Sequence, residues 1–150
     1  MPQPRADVHN YLVAVDGSEA AYAALATACD LAKRSKASIS VLYVIEVPRS
    51  VALDASLEPA VERAETILAR AEQIADERGV VVKADLIQAR QAGHAVVDEA
   101  IDRGVDAIVL GVEYHRPLGQ FTLGRLPLYV LEHAPTQVWL IRYPASEPAR

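Results

Sequence analysis

A chain of 150 residues with 51% apolar content is long enough to fold as one domain around a sizeable core. Its net charge of −5 and isoelectric point near 5.3 argue against the clustered basic surface that nucleic-acid binding needs. No uninterrupted run of about 18 apolar residues occurs, so no segment reads as a membrane-spanning helix.

In chain order, Asn10 to Val15 is short, apolar and bounded by Asp16-Gly17-Ser18, which predicts a buried strand followed by a turn. Ser18 suits a helix N-cap and Glu19 the first turn of an alanine-rich helix over about Glu19–Arg34. Ser38–Ile45 predicts a second strand, and a loop with Pro48 follows. The pattern from about Ser56 to Arg78 predicts a long amphipathic helix, with Pro59 near its first turn and Gly79 as the residue just past its end. Val80–Ile87 reads as a third strand and Gly93–Arg103 as a helix ending at Gly104. Ala107–Leu110 reads as a fourth strand and Leu126–His133 as a helix stopped by Pro135. Gln137–Arg142 completes the set as a fifth strand.

Strands alternating with helices imply right-handed crossovers and a parallel sheet. The predicted fold is therefore α/β: a three-layer, five-stranded parallel open sheet with helices on both faces, Rossmann-like. One domain is expected over 10–143, between flexible ends at 1–9 and 144–150. Ligands of such sheets bind outside the carboxyl ends of the strands. Asp16-Gly17-Ser18, Ile45-Glu46, Arg90-Gln91 and Gly111 onward are placed there together.

Gly111 to Arg125 carries the strongest chemical signal. Glycines between a strand and a helix let backbone N–H groups approach an anion, and a helix N-terminus favours negative charge. Arg90, Arg116 and Arg125 supply a basic set on the same edge, suited to bidentate anion contacts. Other chemistries lack their parts. Glu113-Tyr114-His115 has no second His or Cys at ligand spacing, and His9, His94 and His133 are scattered. Ser18 has no nucleophile-elbow motif or nearby His. Cys29 is alone and inside a predicted helix, which forbids an internal disulfide and predicts a buried, inert thiol.

Three segments in order resemble the universal stress protein family over nearly the whole chain. Tyr11-Leu12-Val13-Ala14-Val15-Asp16-Gly17-Ser18-Glu19 is similar to its opening strand and acidic turn. Gly104 to Gly111 resembles its fourth strand, and His133 to Arg142 its last. ATP-binding members carry Gly-x-x-Gly, nine residues, then Gly followed by Ser or Thr. Gly111 matches the first glycine and Gly124 the last, whereas Tyr114 stands at the middle glycine and Arg125 at the hydroxyl residue. The family's upstream Gly-x-Pro is replaced by Arg90-Gln91-Ala92.

The resemblance implies a cofactor site of Ala14, Asp16, Val44, Gly111, Tyr114, Gly124 and Arg125. Asp16 would meet the ribose or adenine, Val44 would wall the base, and Arg125 would face phosphate. It implies an adenine nucleotide (ATP, AMP or a cyclic nucleotide) without obligatory catalysis, and a homodimer through the strand at 137–142. The alternative is a nucleotide-free interaction module, related to the stress-protein domains joined to membrane transporters. The polar start of the chain and its single cysteine place it, as an expectation, in the cytoplasm.

Overall fold

The computed structural model describes residues 7–114, 116 and 118–144. Nine elements alternate in chain order: β1 (Asn10–Ala14), α1 (Glu19–Ser35), β2 (Ser38–Glu46), α2 (Glu58–Glu77), β3 (Val82–Ala89), α3 (Ala92–Arg103), β4 (Ala107–Glu113), α4 (Arg125–His133) and β5 (Gln137–Tyr143). The strands form one parallel sheet in the order β3-β2-β1-β4-β5. Strand order therefore reverses between β1 and β4, and β5 is a sheet edge.

Two cores cover the sheet. Val13, Val41 and Val109 face α1 and α2, while Leu12, Leu42 and Ile108 face α3 and α4. The alternation follows from the two-residue period of a strand. Small residues bring α1 close to the sheet: Ala20, Ala21, Ala24, Ala28 and Ala32 are all buried. Ser18 caps this helix by accepting the Ala21 N–H at 3.1 Å, a contact that contributes about 1 kcal/mol. Cys29 is fully buried on the same face, and burial pushes its thiol up to about 11.

Local chemistry also ends α2. Gly79 follows the C-cap Arg78 with φ +72°, a left-handed conformation that glycine adopts without a side-chain clash. Just before β1, Val8 is buried and the His9 N–H donates to Asp106 at 2.8 Å. Of the segments expected to be flexible, 1–9 and 144–150, residues 1–6 and 145–150 lie outside the described residues.

Two strands differ materially from the sequence reading. β3 runs from Val82 to Ala89 rather than Val80 to Ile87, because its register with β2 pairs Ile39 with Val82 and Glu46 with Ala89. β4 continues to Glu113 rather than stopping at Leu110. Pairing of Gly111 with Ile141 and Glu113 with Tyr143 extends it. Among the described residues, no helix is long and apolar enough to cross a membrane.

Candidate functional site

A cavity of about 1030 Å³ opens at the carboxyl edge of the sheet, over the reversal point between β1 and β4. The ends of β1, β2 and β4 form its floor, and the first turns of α2, α3 and α4 form its rim. It brings together Ala14, Asp16, Val44, Gly111, Gly124 and Arg125. These residues are as many as 111 positions apart in sequence, and the parallel topology places them on one edge.

Asp16 follows β1 and is exposed, with its Oδ1 accepting the Ser18 N–H at 2.9 Å. One oxygen thus holds the turn that starts α1. Ala14 and Val44, half-buried at the ends of β1 and β2, supply apolar wall. At the opposite side, Gly124 is the N-cap of α4 in extended backbone, with no side chain capping the helix. The first N–H groups of α4 and the exposed Arg125 therefore stand at the cavity with positive character.

Gly111 also has a packing role that was not read in sequence. It lies within β4, not in the loop beyond it. A Cβ there would come within 2.1 Å of the Ala20 carbonyl oxygen, so this glycine lets the start of α1 lie on the sheet.

The predicted basic set is not assembled. Arg90 donates from one guanidinium nitrogen to the carbonyls of Pro48 at 2.6 Å and Val51 at 2.8 Å, and so holds the loop after β2. Arg116 donates to the Gly119 carbonyl at 2.6 Å. Only Arg125 of the three lines the cavity. Tyr114 also stands apart from the lining: it stacks on Phe121 with ring centroids 5.9 Å apart, and the Arg142 guanidinium lies 4.6 Å from its ring. His115 lies outside the described residues.

Several lining residues were not in the cofactor-site set read from sequence, although Glu46 and Glu113 stood on the expected edge. Arg63 enters from α2, Glu46 from the end of β2 and Glu113 from the end of β4. His94 on α3 stacks on Tyr129 of α4 at 4.2 Å, and both reach the cavity. Glu46 was visible as a strand-terminal residue on the right edge. Arg63 gave no such signal, because the exposed face of α2 carries many charges. Among the described residues, no group of three or more His, Cys, Asp or Glu is placed to hold a metal ion.

An open parallel sheet with a cavity at its reversal point defines a Rossmann-like α/β protein with a small-molecule-sized pocket. The universal stress protein family matches residues 8–142, and the chain belongs to that family. A universal stress protein of Methanocaldococcus jannaschii is 25% identical over 142 residues, spanning 91% of this chain and 83% of the relative. The solved universal stress protein of Archaeoglobus fulgidus in complex with dAMP is 20% identical, with a TM-score of 0.72 over 88% of this chain and 96% of that one. A family protein from Arabidopsis thaliana with AMP bound is 22% identical, with a TM-score of 0.65 over 93% of this chain and 95% of that one.

Proposed function

We propose that this protein is a stress-response or signalling protein that holds an adenine nucleotide in the carboxyl-edge cavity, without obligatory turnover. The observation that carries this reading is the convergence of Ala14, Asp16, Val44, Gly111, Gly124 and Arg125 on one cavity of about 1030 Å³. Its volume lies just above the usual range for small-molecule sites, roughly 300–1,000 Å³. Ala14, Asp16 and Val44 hold the nucleoside in this reading. Gly124, Arg125 and the uncapped start of α4 face the phosphate, and Gly111 shapes the floor. The dAMP and AMP complexes of the two solved relatives support the same ligand class.

Tyr114 favours a second reading. Its ring is engaged with Phe121 and Arg142 apart from the cavity lining, and a tyrosine at the position of the family's middle glycine lacks that residue's freedom to bring the backbone to a phosphate. In that reading the domain is a nucleotide-free interaction module, associated with a transporter or another protein partner. Calorimetric titration with ATP, AMP and cyclic AMP separates the two, once mass spectrometry has shown that no nucleotide co-purifies. Micromolar affinity for at least one of them is expected; absence of heat from ligand-free protein would move the function to protein contacts.

We further propose a homodimer through β5. This strand is an edge, and edge strands offer unpaired backbone groups to a second copy. Sedimentation should give the mass of a dimer at micromolar concentration. A monomer across the accessible concentration range removes the proposal. Trp139 is a poor mutational probe of this contact, because its ring packs edge-on against Tyr11 at 5.2 Å and its loss would disturb the core.

A further inference from the structure

We infer that Glu46 makes the cavity selective for ligands of low charge, favouring a nucleoside monophosphate over a triphosphate. The inference rests on the adenine-nucleotide reading and adds a specificity determinant to it. Glu46 is the last residue of β2, is exposed and lines the cavity. Its Oε2 accepts the N–H of Ala92, the first residue of α3, at 2.8 Å. The N-cap of that helix, Gln91, makes no side-chain capping bond. A carboxylate of the chain itself thus occupies the donor end of α3, where a ligand phosphate would otherwise find favourable charge.

The remaining charges point the same way. Among the described residues, Asp16, Glu46 and Glu113 line the cavity against Arg63 and Arg125, leaving carboxylates in excess. Arg90 and Arg116, the other guanidinium groups assigned to this edge, are bonded to backbone carbonyls. The start of α4 differs from that of α3: Gly124 leaves it uncapped and Arg125 stands beside it. One phosphate is served there. Further phosphates meet uncompensated carboxylates, or must displace Glu46 from Ala92.

Glu46→Gln tests this assignment. The amide keeps an oxygen able to accept the Ala92 N–H, so α3 retains its cap while the charge is removed. Adenosine, AMP and ATP are titrated into both proteins by calorimetry without divalent cations. The wild type is expected to bind AMP more tightly than ATP. The substitution should raise ATP affinity about threefold to tenfold, as expected for loss of one repulsive charge several ångströms away in high dielectric, and leave adenosine unchanged.

Parallel shifts for adenosine and ATP would show that Glu46 only shapes the pocket, and would overturn the inference. Binding of ATP as tightly as AMP by the wild type would also overturn it. No binding of any of the three by either protein removes the adenine-nucleotide reading itself. A second measurement needs no variant: the preference for AMP over ATP in the wild type should narrow as salt rises from low to high concentration, because exposed charges are screened. A ratio independent of salt would contradict a charge-based filter.

Discussion

Gly111→Ala is expected to destabilise the fold by about 3 kcal/mol, the upper end of the usual cost of overpacking. The added Cβ would lie 2.1 Å from the Ala20 carbonyl oxygen, 2.4 Å from its carbon and 2.8 Å from the Ala21 nitrogen. All three atoms belong to the backbone of α1, so no side-chain rotation relieves the clash. The helix must lift from β4, and the contacts of Ala20, Ala21 and Ala24 with the sheet loosen together. Denaturant unfolding should show a lower midpoint, with any nucleotide affinity falling as Asp16 moves with the start of α1. An unchanged midpoint would mean that the helix and strand are less closely packed than described.

Asp16→Ala is expected to weaken adenine-nucleotide binding at least tenfold, or about 1.4 kcal/mol. The carboxylate is exposed at the cavity, and Oδ1 also accepts the Ser18 N–H. Removing it costs the ligand a partner and the turn a hydrogen bond. Asp16→Asn separates the two effects, because an amide oxygen can still accept from Ser18. Comparable loss in both variants assigns the effect to the charge. Full affinity in Asp16→Ala would place the nucleoside elsewhere in the cavity.

The parts of this molecule legible in sequence were those fixed by local chemistry. Ser18 announced a helix start because an N-cap needs only a hydroxyl at the right place in the chain. Gly79 announced a helix end because a left-handed residue is required there. The alternation of strands and helices then gave the class of sheet, and the carboxyl edge followed from parallel topology. Asp16, just after β1, and Val44, near the end of β2, both line the cavity on that edge.

What escaped depended on partners distant in the chain. Gly111 looks like a strand exit until β5 pairs beside it and α1 settles over it. Arg90 looks like an anion ligand until the loop after β2 folds back and presents the carbonyls of Pro48 and Val51. Tyr114 looks like a member of the phosphate loop until its ring stacks on Phe121 with the Arg142 guanidinium beside it, apart from the cavity lining. In each case the residue type was informative, but the direction of its side chain or the approach of another element decided its role.

Burial of Cys29 gives the protein an internal clock for its own opening. It is the sole cysteine of the chain, has no exposed surface and carries a thiol that burial holds strongly in its neutral form. A thiol reagent therefore reports the rate at which the layer beneath α1 becomes accessible, not the chemistry of the native surface. Labelling followed with and without nucleotide would read how firmly a ligand at the sheet edge closes the interior, at one defined position and without introducing a foreign probe.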